Sequence, residues 1–267
     1  MVSAHDGSIV EGVIGPKSPL VGRTIGDINF RQRYRVVVMA IHRRGVHLRQ
    51  EIDSVAVYTV NGIWKCTGAM INNTAEDGTP YFLTANHCIS TSDEAATLET
   101  YWDFEVDCGV SDCEYIWNIV GRATPGAALL VGNDTSDFSL LQLDAVPGGR
   151  TFVGWNTTPV AFADGTDLYR LSHPAGAPLA YSTHDVDVNK YMCSSWPRGE
   201  WIYSIDTYGA TEGGSSGSPV VNSQGLVVGQ LSGACGYNTG DVCDADLDGD
   251  GVGDLADNCP GAVNSLQ

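Results

Sequence analysis

The sequence predicts an all-β fold, a barrel or a sandwich, and three observations carry that prediction. Short strand-like runs recur through the middle of the chain, glycine- and proline-rich turns separate them, and 43% of residues are hydrophobic, enough to build a substantial core. Many short strands punctuated in this way point to stacked or closed antiparallel sheets.

The runs follow in order. SVAVYTV (54–60), TGAMINN (67–73), YFLTAN (81–86), TLETYWDFEV (97–106), FSLLQLD (138–144) and GLVVGQLSG (225–233) are rich in β-branched and aromatic residues. Asn61-Gly62, Asp77-Gly78, Pro147-Gly148-Gly149 and Asp164-Gly165 supply turn chemistry between them. Ahead of this body, RQRY (31–34) closes a short helix-like piece and YRVVVMAIHR (34–43) reads as a β-rich run. Behind it, DVCDADLDGDGVGDLADNCPGAVNSLQ (241–267) alternates aspartate and glycine, has almost no core-forming residues and cannot pack a core alone. Three segments result, 1–52, 53–240 and 241–267.

Charge is uneven among them. The 267 residues include 14 Lys/Arg and 32 Asp/Glu, a net charge of −18, yet residues 1–50 hold eight of the basic residues and only three acids. The strongly acidic body repels phosphate, which excludes nucleic acid as a partner class. No apolar run approaches the roughly 20 residues that span a bilayer, and the start MVSAHDGSIVEGV lacks the basic end and apolar stretch of a secretory signal. All eight cysteines lie between Cys66 and Cys259, and none forms a Cys-x-x-Cys pair. An even count without zinc spacing suggests disulfides, an oxidising compartment and a secreted protein, with pairings that the sequence does not fix. The missing signal conflicts with secretion unless the chain is a fragment or a fusion.

GGSSGSP (213–219) is either a flexible linker or a tight turn presenting a nucleophile. A serine hydroxyl becomes a nucleophile only with a base in reach, a group that orients the base, and backbone N–H groups aimed at the developing oxyanion. His87 in YFLTANHC is the candidate base; a Cys66–Cys88 bridge would pin its loop. Asp137 in TSDFSLLQLD is the candidate orienting acid, since a carboxylate at the start of an apolar strand is costly to bury unless it accepts strong hydrogen bonds.

Taken together in the order His, Asp, Ser, the segments TANHC (84–88), SDFSLL (136–141) and GGSSGSP (213–219) resemble the signatures of trypsin-like serine endopeptidases, most of all the bacterial lysyl-endopeptidase and glutamyl-endopeptidase branch. CTGAMINN (66–73), YWDFE (101–105), FVGWN (152–156), SHPAG (172–176) and VVGQLSGAC (227–235) fit as well, and the resemblance covers about 54–240. It implies a two-barrel chymotrypsin-like fold, with His87 as general base and then acid, Asp137 as its orienting group and Ser216 as nucleophile. It also implies an oxyanion hole from the amides of Gly214 and Ser216, and a strand-pairing segment for substrate at Ser232, Gly233 and Ala234. Protein or peptide is the implied substrate, and no cofactor takes part in the chemistry.

Departures from the family pattern are informative. Where animal-type relatives carry an aspartate that pairs with a freshly cut N-terminus, this chain has Ser215. Where trypsin-type enzymes keep a pocket acid it has Ala210, so a preference for Lys or Arg needs another carboxylate, Asp241 or Asp244. No apolar pattern for closing strands or a terminal helix follows Val228-Gly229-Gln230-Leu231, so the second barrel is expected to be incomplete. That leaves a rival reading, a catalytically inactive, calcium-dependent surface or adhesion protein on a protease scaffold.

Both flanks carry resemblances of their own. Asp244, Asp246, Asp248, Asp250 and Asp254 place hard oxygen ligands on a Gly-rich stretch, which suits Ca²⁺. The twelfth position from Asp244 is Leu255 rather than the Glu of an EF-hand, and with its DNCP ending the stretch resembles a thrombospondin type-3 calcium repeat. SPLVGRTIGDINFRQRYRVVVMAIHRRG (18–45) resembles part of a TrkA-C regulatory domain of potassium-channel and transporter subunits, an α+β fragment, and the resemblance covers about 15–50.

Overall fold

The computed structural model describes residues 42–43, 46–47, 51–105, 122–193, 195–209 and 211–234. The chain divides into two compact units, Met1–Ala40 and Ile41–Gln267, and every described residue belongs to the second. The TrkA-C-like stretch lies mostly, and the calcium-repeat stretch wholly, outside the described residues; so do Ala210, Asp241 and Asp244.

A two-residue ladder joins β1 (His42–Arg43) to β2 (Val46–His47). A seven-stranded sheet follows, built from β3 (Val55–Val60), β4 (Ile63–Ile71), β5 (Tyr81–Ala85), β6 (Glu99–Trp102), β7 (Arg122–Pro125), β8 (Ala127–Asn133) and β9 (Phe138–Leu143). Their order across the sheet is β7-β6-β3-β4-β5-β9-β8. The β3–β4 hairpin turns on Asn61 (φ 53°) and Gly62 (φ 69°), both left-handed, which is the backbone that a two-residue turn matched to strand twist requires. Between β5 and β6 lies α1 (Ser92–Ala96). It opens on a capping box in which Thr91 accepts from the Glu94 amide and Glu94 reaches back to the Thr91 amide.

Phe82 anchors the first core, meeting Tyr58 and Trp102 edge-on at ring separations of 6.0 and 6.1 Å. Met70, Ile89, Leu98 and Leu141 fill the space around them. Burying each such side chain contributes about 1.5–3 kcal/mol.

The second sheet runs β10-β15-β14-β11-β12-β13, from β10 (Gly154–Trp155), β11 (Asp167–Ser172), β12 (Ala180–Val186), β13 (Ser204–Tyr208), β14 (Pro219–Asn222) and β15 (Leu226–Gln230). The chain therefore completes one sheet before starting the next. Among the described residues, hydrogen bonding leaves both sheets open at their ends. The two are held together by shared core and by backbone. Val55 and Ala69 of the first pack with Leu171 of the second. The Thr67 amide donates to the Ser216 carbonyl (2.9 Å), and Met70 and Asn72 exchange bonds with Val153 at 2.9 Å each. Apart from α1 and a short helical turn at Pro174–Gly176, the described residues are β, as the strand pattern predicts. No helix among the described residues is long and apolar enough to cross a membrane.

Candidate active site

His87 sits in the loop after β5, where the Cys66–Cys88 disulfide ties that loop back to β4. Its imidazole and the two sulfurs lie within 4.8 Å of one another; because both sulfurs are spent in the bridge, the cluster braces the loop rather than offering thiolate ligands. Asn86 fixes the same loop from the other side, donating to Ser139 Oγ (2.9 Å), which in turn donates to the Ile89 carbonyl (2.6 Å).

Asp137 stands one residue before β9, in left-handed backbone (φ 52°) and 7% exposed. Its Oδ1 accepts the His87 backbone N–H at 2.8 Å and its Oδ2 faces His87 Nδ1 at 2.7 Å. Ser232 Oγ also donates to Oδ2, at 2.5 Å. Burial alone would raise the Asp137 carboxyl, but the bonds from the His87 ring, the Ser232 hydroxyl and the His87 amide outweigh it and hold the group below the usual carboxylate range. An ionised carboxylate only accepts, so Nδ1 carries a proton, and in the neutral ring the lone pair is then on Nε2. The carbonyl of Asp137 is tied as well, to the Asn86 amide (3.0 Å) and Gln230 Nε2 (2.6 Å).

Ser216 lies in the turn entering β14. Its hydroxyl makes a long contact of 3.4 Å to the Ser232 carbonyl, beyond the ordinary range for O–H···O, so the proton is not committed there. Ser232 thus touches both Asp137 and Ser216, joining the acid of the first sheet to the serine turn of the second. The neighbouring amides are occupied: Ser215 donates to Glu212 (2.9 Å), Gly217 to Leu231 (2.7 Å) and Ser218 to Ser215 (3.1 Å). The amides of Gly214 and Ser216 have no acceptor among the described residues. Gly217 (φ 83°) is obligatory here, since a Cβ would lie 2.4 Å from the Thr67 carbonyl and 2.2 Å from Thr84 Oγ1.

The fold therefore joins His87, Asp137 and Ser232 directly, and Ser216 through Ser232. Gly233 packs beside Trp196, whose ring stacks on Trp201 at 4.8 Å. The motifs did not disclose Gln230, Ser232's bond to Asp137, or Thr67, whose hydroxyl donates to the Gly214 carbonyl (2.8 Å). The proposed calcium ligands Asp244, Asp246, Asp248, Asp250 and Asp254 lie outside the described residues.

An antiparallel sheet and a mixed sheet, in which only β10 and β15 run parallel, meet at a His–Asp pair and a glycine-bound serine turn, the arrangement of the two-barrel, chymotrypsin-like class of serine-protease folds. The family described as Lysyl endopeptidase, C-terminal domain, matches residues 41–246, and the chain belongs to that family. The chain is 32% identical over 168 residues to Lysyl endopeptidase of Pseudomonas aeruginosa, which covers 61% of this chain and 35% of that protein. A solved serine endoprotease from Yersinia pestis superposes with a TM-score of 0.47 at 17% identity, over 70% of this chain and 56% of that one. The flanks match separately: residues 9–53 the TrkA-C domain and residues 237–267 the thrombospondin type 3 repeat. A 49-residue stretch, 18% of this chain and 6% of the relative, is 33% identical to a probable sodium/sulfate cotransporter 3 of Chlamydomonas reinhardtii.

Proposed function

We propose that the protein is a secreted serine endopeptidase that works through Ser216, His87 and Asp137. The observation that carries this reading is the His87–Asp137 pair, bonded at both backbone and ring (2.8 and 2.7 Å) and coupled through Ser232 to Ser216. Ser216 Oγ attacks the carbonyl carbon of the scissile peptide while its proton passes to His87 Nε2. The carbonyl electron pair moves onto oxygen, and the resulting oxyanion is met by the amides of Gly214 and Ser216. Collapse expels the amine, which takes the proton from His87, and leaves an acyl-enzyme; water repeats the sequence and releases the acid. Asp137 holds the Nδ1–H tautomer and faces the imidazolium that forms. Substrate backbone adds as a strand along Ser232, Gly233 and Ala234. Family membership favours a basic residue before the scissile bond, with Asp241 or Asp244 as its partner.

Labelling with a fluorophosphonate probe, wild type beside Ser216→Ala, tests the assignment without knowledge of the substrate. Wild-type labelling lost in Ser216→Ala supports it; an unlabelled wild type refutes it and favours the non-catalytic surface protein. Cleavage of matched Lys, Arg, Glu and Leu peptides tests specificity, and no preference for basic residues removes that part. The thrombospondin-repeat match supports Ca²⁺ binding by Asp244, Asp246, Asp248, Asp250 and Asp254 in a separate segment, 241–267, beyond a catalytic domain at 53–240 and a TrkA-C-like segment at 1–52. Calcium-dependent protection of that segment from proteolysis is the check.

A further inference from the structure

The oxyanion pocket depends on which way two peptide planes face, and the structure shows what turns them. In a trans peptide the C=O of one residue and the N–H of the next point in opposite directions, and the described chain has no cis bonds. Fixing the Gly213 carbonyl therefore fixes the Gly214 N–H. That carbonyl accepts the Ala175 amide at 2.6 Å. In the same way, the Ser218 amide on the Ser215 carbonyl (3.1 Å) fixes the Ser216 N–H. The plane between them is held at both ends: Thr67 Oγ1 donates to the Gly214 carbonyl (2.8 Å) and the Ser215 amide donates to Glu212 (2.9 Å).

The groups that do the holding are themselves rigid. Ala175 lies in left-handed backbone (φ 50°) between Pro174 and Gly176, within the SHPAG turn. His173 at the head of the turn is buried. Its ring stacks parallel on Phe104 at 5.8 Å, Nδ1 bonds the Ala177 carbonyl at 2.9 Å, and its amide donates to Thr67 Oγ1 at 2.9 Å. The turn presses directly on the serine loop, since a Cβ on Gly214 would lie 2.9 Å from the His173 carbonyl and 3.1 Å from the Ala175 nitrogen. Ser215 is fully buried and accepts the Ser172 hydroxyl at 3.1 Å. Ser215 itself carries no charge for an incoming amine to neutralise.

We propose that Thr67 and the turn 172–177 are positioning elements, a built-in brace that holds the Gly214 and Ser216 amides toward the cleft as soon as the domain folds. The pocket then needs no new N-terminus to form it. The proposal rests on Ser216 being the nucleophile. Thr67→Val keeps the shape and removes the hydroxyl. It is expected to slow fluorophosphonate labelling of Ser216 about 10–100-fold, less than outright loss of an oxyanion donor. On a peptide substrate kcat falls by the same factor and KM stays within about twofold, because the braced amides meet the oxyanion rather than the bound substrate. Thr67→Ser returns most of the rate. Replacing Ala175 by lactic acid, which exchanges one N–H for an ester oxygen, gives the same pattern and serves if Thr67→Val does not fold. Equal labelling of wild type, Thr67→Val and the ester overturns the brace while leaving the triad reading intact; an unlabelled wild type overturns both.

Discussion

Asp137→Asn is the most exacting perturbation of the site. The carboxylate accepts two donors at Oδ2, the His87 ring and Ser232, and one at Oδ1, the His87 amide. An asparagine has one acceptor oxygen and one NH₂ to place in those positions. The backbone N–H of His87 can only donate, so the oxygen must take the Oδ1 site. The NH₂ then faces Ser232, whose hydroxyl can turn and accept, and His87, whose Nδ1 must give up its proton to accept. The ring is forced into the Nε2–H tautomer, and its one proton-accepting nitrogen is then Nδ1, on the side of position 137. The volume is nearly unchanged. The expectation is a fall in kcat of about 10⁴, or roughly 5 kcal/mol of transition-state stabilisation, with KM within about threefold. Steady-state kinetics on a fluorogenic peptide at neutral pH, with the unfolding midpoint measured in parallel, reads both. A loss smaller than about tenfold in a folded variant would mean that Asp137 does not set the tautomer.

Three further predictions follow from the same structure. The Cys66–Cys88 bridge closes a separation of 22 residues, so replacing both cysteines with alanine should cost about 3 kcal/mol. Differential scanning calorimetry should show that as a fall of roughly 6–12 °C in Tm. Gly217→Ala combines a left-handed backbone (φ 83°) with contacts under 3 Å to Thr84 and Thr67, and urea denaturation should show a loss of about 2–5 kcal/mol. His173 is buried neutral, mainly by desolvation, with its pKa pushed down to about 4. Below about pH 6.5 the unfolded chain binds a proton that the folded one refuses. Stability should therefore be full above that pH and decline as pH falls toward 4, and His173→Gln should flatten that slope in urea titrations.

The strands that were legible in the sequence are those whose buried face is apolar. VAVYTV, YFLTA, FSLLQL and LVVGQ appear as β3, β5, β9 and β15. β11 and β12 were not legible because polar and apolar residues share their buried positions: Arg170, Ser172, Ser182 and His184 are inside beside Leu168, Tyr169, Leu171 and Val186. Arg170 donates to His184 Nε2 (3.0 Å) and to Asp206 (2.7 Å), and His184 bonds Ser204 at 2.8 Å, so hydrogen bonds replace the hydrophobic alternation that a reader looks for. α1 was not read from the sequence; its one local signal is Thr91 with Glu94 three residues on. For the candidate site, local motifs pointed to His87, Asp137 and Ser216, of which the structure bonds the first two directly. Ser232 and Gln230 could not be assigned their contacts with Asp137, because those bonds join residues more than 90 positions apart.

The chain finishes the sheet carrying His87 and Asp137 before it begins the one carrying Ser216 and Ser232. In the mechanism proposed for Ser216, one half supplies the proton acceptor and the other the alcohol, with the crossing between them at 144–153. Polypeptides cut within that crossing would each be inert, and the appearance of probe-reactive serine on mixing would report, molecule by molecule, that the halves had found one another.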